Sequence, residues 1–345
     1  MERVGGMTPR LKDIAAHAGV SIMTVSKALR GAPDVAAETR ARIRALAQQM
    51  GYVPNTMAQG LRRGATRLLG LILPTVANPI YSRTVAAIEE GAHELGYDLV
   101  IAHSLGIAER EEACIRRLLS RRVDGLFISP VYRMAPQAGV YEELAARLGA
   151  VVILGHRAPF CAGFCNVESD DIAGSQAVTH HLVCLGHKRI AFLCGTPSPW
   201  AQERLEGYRR GLRDAGIEPD DALIFSAGAA IEEGETAALQ MFNESTKMTA
   251  IQSASDLTAI GAATLFLKQG LQIPTDFSIA GFGNVLTSEY FRVPLTTVRQ
   301  PKLRLGVAAV EMMQRILRGE RPETRRLPAE LIIRASTAPP NPVVL

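Results

Sequence analysis

The chain has 345 residues, 47% of them hydrophobic and 21% charged, enough for about two or three domains that each bury a core. This is an ordinary soluble composition: no run of about eighteen apolar residues offers a membrane span, and "MERVGGMTPRLKDIAAHAG" lacks the apolar stretch of an export signal, so the expected location is the cytoplasm. The net charge of +4 is unevenly spread, with eleven bases against four acids through residue 67 and an excess of acids beyond it, so the basic N-terminal part is expected to meet a polyanion.

In chain order, Leu11, Ile14, Ala15 and Ala18 recur at helical spacing before Gly19. Ser21 is placed to cap a second helix starting near Ile22. Val25, Ala28 and Leu29 fall on one side of that helix, with Met23, Lys27 and Arg30 opposite. A third amphipathic segment, "AAETRARIRALAQQMGY", puts Thr39, Ile43, Leu46, Ala47 and Met50 on one face. Helix, short glycine turn, helix is the pattern of a helix-turn-helix unit, whose second helix enters the major groove N-terminus first. Ile22, Met23, Ser26 and Lys27 would then face base edges, the apolar tips meeting thymine methyls and the ammonium reaching guanine O6 or N7.

"LKDIAAHAGVSIMTVSKAL", "TRARIRALAQQMGYVPN" and "MAQGL" together resemble the DNA-binding head of the LacI/GalR family of bacterial transcriptional repressors, and the resemblance extends over nearly the whole chain. It implies phosphate contacts from Ser21 and Thr24, base reading by Ile22, Met23 and Lys27, and a DNA contact from Asn55. It further implies a hinge helix carrying Ala58 and Leu61, with Leu61 wedged into the minor groove at the centre of a palindrome. Two positions depart from the family pattern: Gly60 weakens the hinge helix by roughly 0.5–1 kcal/mol relative to alanine, and Ala36 stands where a serine or threonine would cap the third helix. The expected division is a head at 1–55, a hinge at 56–66 and a body at 67–345.

From Leu68 onward, "RLLGLILPT", "YDLVIAHS", "DGLFISP" and "AVVILGHR" read as buried strands with helices between them. A second series follows in "KRIAFLCG", "ALIFSAG", "TAIQSAS" and "FSIAGFG". Such alternation implies two α/β lobes with parallel sheets and a ligand cleft between them. The fold class is therefore an all-α helix-turn-helix head on an α/β body of two lobes. By the resemblance the body is periplasmic-binding-protein-like, with crossovers between lobes near residues 165, 290 and 325.

No nucleotide-binding or hydrolase motif of the GxxxxGK[ST], strand-linked GxGxxG, GxSxG or HExxH kind is present, so an enzyme is not expected. His180, His181, His187, Cys161 and Cys165 lack the tight paired spacing of a zinc site, and the five scattered cysteines suit reduced thiols. Neither metal nor cofactor is expected.

The cleft is expected to hold a small-molecule effector. The resemblance assigns its hydroxyls or carboxylates to Arg204 of "ERLEGYRRGL"; the residues alone also allow Arg204 to pair with Glu203 or Glu206. Strand ends add Asn78, Ile80, Tyr81, Ser129 and His156, with Ile80 equally suited to the core. Trp200 either stacks on a sugar ring or packs. Ser255, Asp256 and Gly283 complete the set, and Asn284 replaces a carboxylate common in sugar-binding members. That replacement beside Arg204 tilts the expectation from a sugar toward a sugar acid of the gluconate kind. The proline-rich tail "STAPPNPVVL" has no heptad repeat, so a homodimer on palindromic operator DNA is expected rather than a tetramer. The rival reading is a periplasmic-type sugar-binding protein, which has no use for a basic head.

Overall fold

The computed structural model describes residues 9–53, 65–244 and 246–341. Contacts divide the chain into two units, Met1–Thr66 and Arg67–Leu345. Asn55, Ala58 and Leu61, and all of the expected hinge but its last two residues, lie outside the described residues.

Among the described residues of the first unit are three helices, α1 (Leu11–Ala18), α2 (Ile22–Leu29) and α3 (Ala37–Gln49). Asp13 accepts from the Arg10 N–H at 2.8 Å at the start of α1, and Gly19 ends that helix in the left-handed region at φ 64°. Ser21 Oγ accepts from the Thr24 N–H at 3.0 Å and so fixes the first turn of α2. Ala36 precedes α3 without a side-chain cap. Ile14, Val25 and Ile43, one from each helix, are fully buried against one another, with Leu11, Leu29, Leu46 and Tyr52 closing the edges. The apolar spacing of the sequence thus becomes a small closed core.

The second unit has two lobes. The first lobe's sheet has the strand order β11-β5-β4-β3-β1-β2, all parallel: β1 (Leu68–Leu73), β2 (Asp98–His103), β3 (Gly125–Ile128), β4 (Val151–Leu154), β5 (Cys165–Ser169) and, much later in the chain, β11 (Arg325–Leu327). Its helices are α4 (Ser82–Glu94), α5 (Ala108–Ser120) and α6 (Gly139–Arg147). The second lobe is built on β6 (Ile190–Cys194), β7 (Ile224–Ser226), β8 (Ala250–Ser253) and β9 (Ser278–Ala280), parallel in the order β7-β6-β8-β9. Helices α7 (Asp171–Cys184), α8 (Pro199–Asp214), α9 (Ile231–Asn243) and α10 (Asp256–Lys268) cover it, and α11 (Leu286–Tyr290) follows. An antiparallel pair, β10 (Thr297–Arg299) with β12 (Glu330–Ile332), lies beside this sheet, while α12 (Lys302–Leu317) returns to pack on α4 of the first lobe. Each sheet buries apolar side chains on both faces, as parallel strands require.

Two sequence expectations change in detail. The crossovers fall after β5 at Ser169 and after β11 at Leu327, close to the expected 165 and 325, and after β10 at Arg299 rather than near 290. β5 continues the first sheet up to the switch, and residues 286–290 form α11 instead. β2 is not a buried strand: it ends its sheet, and Ile101 is 40% exposed.

Helix α8, which carries Arg204, lies unusually close to α7. A Cβ on Gly207 would stand 2.4 Å from the Ile172 carbonyl oxygen, and one on Gly211 would stand 2.6 Å from Thr179 Cβ. These two glycines, one turn apart, let the helices approach backbone to backbone. The close approach sets the depth at which Arg204 enters the cleft.

Candidate functional site

On the head, Ile22 and Met23 are 52% and 61% exposed at the first turn of α2, opposite the buried Val25 and Ala28. An apolar pair facing water on a helix that already buries its other side has no packing role in this unit. Ser21 and Thr24 flank it, their hydroxyls hydrogen-bonded at 2.9 Å. Ser26 is half-buried, and its carbonyl accepts from Arg30 Nε at 3.0 Å. Lys27 is engaged within the head, its ammonium paired with Asp34 beyond the end of α2. That pairing holds the Asp34 carboxyl below the usual carboxylate range.

The centre of the cleft is built around Arg204. Its Nε and Nη2 donate to Asp171 Oδ2 at 2.8 and 2.7 Å, and Nη1 donates to the Ala254 carbonyl at 2.6 Å. The Trp200 and Phe282 rings lie 4.5 and 3.9 Å from the guanidinium carbon. Asp171, fully buried, also accepts from Ser169 Oγ and, at 3.3 Å, from the Gln300 amide. Ser169 and Gln300 belong to the first two crossovers, so the ion pair sits where the chain passes between lobes. Arg204 therefore pairs with Asp171, and neither Glu203 nor Glu206 takes that place. The premise for an anionic effector, an arginine without a carboxylate beside it, does not hold.

The remaining expected residues gather around this centre in different capacities. Tyr81 is hydrogen-bonded to Ser129 and lies within the field of Arg204. Ile80 approaches the second lobe: a Cβ on Gly283 would be 3.0 Å from Ile80 Cδ1 and 3.6 Å from Asp256 Oδ2. Asp256 accepts from Thr297 Oγ1 and from the Val285 N–H at 2.9 Å; burial pushes its carboxyl up, against those two bonds. Asn78 and Ser255 serve as local caps, accepting from the Ile80 and Leu257 N–H groups at 3.1 and 3.2 Å. Trp200 stacks on Arg204 and also covers Gly195, where a Cβ would meet the ring at 2.3 Å. Asn284 turns its amide oxygen to Arg334, accepting at 2.8 Å.

His156 lies at the mouth. Its Nε2 is 2.9 Å from Glu203 Oε2, and Arg326 grips the same carboxylate with two bonds of 3.0 and 2.7 Å. His156 and Arg326 belong to the first lobe and Glu203 to the second, so this cluster spans the cleft. Burial disfavours the charged imidazole, yet the Glu203 hydrogen bond and the charges of Asp171, Glu203 and Glu168 outweigh it and raise the His156 pKa. Beside it opens a cavity of about 600 Å³ lined by His156, Arg157, Glu168, Gln202, Glu203 and Glu206, among others. A third tie is Lys302 at the start of α12, which donates to the Gly283 and Asn284 carbonyls at 2.6 and 2.9 Å. Burial pushes its ammonium down to about 8, with Asp256 opposing.

Sequence reasoning missed Asp171, Phe282, Gln300, Lys302 and Arg326, and weighed Glu203 only as a partner of Arg204 where it pairs with His156 and Arg326. The acids of "ESDDIAG" did carry a signal, since two carboxylates before a helix are commonly its caps or charge partners. Gln300, Lys302 and Arg326 lie far along the chain from Arg204 and carried none. Among the described residues, no group of three metal-ligating side chains comes together, and no helix is long and apolar enough to cross a membrane.

Comparison with known proteins places the fold. The family described as "Bacterial regulatory proteins, lacI family" matches residues 10–55, and a "Periplasmic binding protein-like domain" matches residues 179–337. The HTH-type transcriptional regulator DegA of Bacillus subtilis (strain 168) is 30% identical over 97% of this chain and 100% of its own length. Among solved structures, the Lac repressor dimer bound to operator and the anti-inducer ONPF superposes with a TM-score of 0.84 at 28% identity, covering 96% of this chain and 99% of that one. A complex of the transcriptional regulator CelR with cellobiose gives 0.71 at 26% identity, covering 95% and 99%.

Two outcomes follow from the cleft geometry. Arg204→Met leaves Asp171 buried without its partner and should cost about 3–5 kcal/mol in urea unfolding, whereas adding Asp171→Asn should recover much of that loss; a single-variant loss below about 1 kcal/mol would contradict the buried pair. Because the folded His156 pKa is raised, its stabilisation is complete below the ordinary histidine value and is lost as pH rises through the folded value. The stability gap between wild type and His156→Gln should therefore be wider at about pH 5.5 than at about pH 8.5, and an equal gap would refute the tie.

Proposed function

The chain belongs to the LacI family of bacterial transcriptional regulators, and on that premise we propose that it represses transcription in the cytoplasm as a homodimer on a palindromic operator, released or tightened by a small neutral polyol of the sugar class. That it is a DNA-binding regulator with a ligand-binding body, and not an enzyme, follows from its relatives. The observation that carries the operator reading is the exposed Ile22–Met23 pair at the start of α2, set on a head with a net charge of +7 through residue 67. Ser21 and Thr24 would hold phosphates, while Ile22, Met23, Ser26 and Lys27 meet base edges. Residues 1–55 would act as the head, 56–66 as the hinge with Ala58 and Leu61 toward the minor groove, and Asn55 at their junction.

For the effector, the Arg204–Asp171 pair favours a neutral, hydroxyl-rich molecule. Vicinal hydroxyls both donate and accept, so they can bridge a guanidinium and a carboxylate; a ligand carboxylate would face Asp171 at the same point. Trp200, partly exposed beside Arg204, would offer a ring to the apolar side of a sugar, while Phe282 is buried behind the guanidinium. The cellobiose bound by CelR belongs to the same class. Asn78, Ile80, Tyr81, Ser129, His156, Ser255, Asp256 and Gly283 would complete the wall. Ligand-dependent lobe closure would alter how two heads engage one duplex, a coupling of typically about 1–3 kcal/mol.

Selection of bound fragments from random DNA by the full chain, with and without a panel of mono- and disaccharides, aldonates and uronates, tests both halves. Enrichment of an inverted repeat is expected, with affinity shifted by a neutral sugar that also raises Tm. Absence of inverted-repeat preference at low ionic strength would overturn the operator reading, and a response confined to aldonates or uronates would overturn the effector class.

A further inference from the structure

We propose that Asp34 is a specificity-determining residue of the head: it holds Lys27 as a base reader and denies that lysine to the phosphate backbone. The inference rests on the reading of α2 as the helix that meets DNA. Lys27 stands four residues after Met23, hence on the same outward stripe of the helix. Lysine is a strongly hydrated point charge on a flexible four-carbon stem. Left free on a basic face, it would be drawn to the phosphates, which carry the densest charge of the duplex and no sequence information.

Here it is not free. Its ammonium is paired with Asp34, and the two side chains remain 41% and 52% exposed. One ammonium proton is thereby committed and two remain, enough for guanine O6 and N7. The Asp34 carboxylate places negative charge beside that ammonium and so makes an approach to phosphate unfavourable, while a neutral base edge is unaffected. Asp34 also lies within the field of Arg30 at the end of α2. Three neighbouring arginines have backbone partners: Arg30 bonds to the Ser26 carbonyl, Arg40 to the Ala32 and Val35 carbonyls at 3.0 and 2.9 Å, and Arg42 to the Ala18 carbonyl at 3.1 Å. Lys27 and Asp34 instead form an ion pair between exposed side chains, which can exchange a protein partner for a nucleic-acid one.

The test uses the full chain, its selected operator, every single-base variant of that operator and a scrambled duplex, at several salt concentrations, with wild type, Asp34→Asn, Lys27→Met and the double variant. The base pair read by Lys27 is the one at which Lys27→Met ceases to discriminate. Asp34→Asn is expected to lose about tenfold discrimination at that base pair, to bind scrambled DNA about three- to tenfold more tightly, and to steepen the log–log salt dependence by about one phosphate contact. The double variant should behave as Lys27→Met in all three. Both positions are exposed, and unchanged melting curves will show that the head is intact. Retained discrimination in Asp34→Asn would overturn the proposal, as would an equal gain in affinity when residue 27 is methionine, which would make Asp34 a general repeller of DNA. If wild type itself prefers no operator, it is the reading of the head that fails, not the role of Asp34 within it.

Discussion

Arg204 is held at 8% exposure between the Trp200 and Phe282 rings, and a guanidinium in such a place is tenable only if its charge and donors are met. Asp171 meets the charge and the Ala254 carbonyl takes a further donor. Much of the second unit follows from this one pair. Asp171 opens α7 directly after the first crossover, Ala254 follows β8, and Gln300, in the second crossover, bonds to both Ser169 and Asp171. Four separate stretches of chain are thus pinned to one charge. The glycines of α8 belong to the same constraint, because a wider spacing between α7 and α8 would lift Arg204 away from Asp171.

The contacts between lobes are of a different kind. Arg326, Glu203 and His156 meet at the mouth, where Arg326 also reaches Glu168 and Asp170 at 3.1 Å each. Lys302 reaches from α12 to two carbonyls of the second lobe. These are ionic or hydrogen-bonded contacts with little apolar burial among them, and water can replace such partners more readily than it can replace a core. A cleft closed in this way can open without exposing either lobe's interior. The separation of a permanent centre from exchangeable ties is what a ligand-controlled body requires.

The head and the two sheets were legible because their signals are local. Helical spacing of Ile14, Val25 and Ile43 predicts the core they form, and "LLGLIL" or "IAFLC" reads as a buried strand because parallel strands are covered on both faces. β10, β11 and β12 were not legible: "TVR", "RRL" and "ELI" are three residues long and mixed in polarity. The second crossover was misplaced for the same reason, since it follows β10. Arg204 was singled out by the family resemblance, but its partner was not legible, since Asp171 lies 33 residues earlier and only the fold brings the two together. The partner bears on the chemistry, because an arginine judged alone suggests an anion, whereas one already paired can also be bridged by hydroxyls.

A crystal structure of the chain with the sugar that most raises its melting temperature tests this account most directly. Adjacent ligand hydroxyls should contact both the Arg204 guanidinium and the Asp171 carboxylate, with the ion pair kept and a ring face against Trp200. A ligand carboxylate seated bidentate on Arg204, with Asp171 turned away, would contradict it.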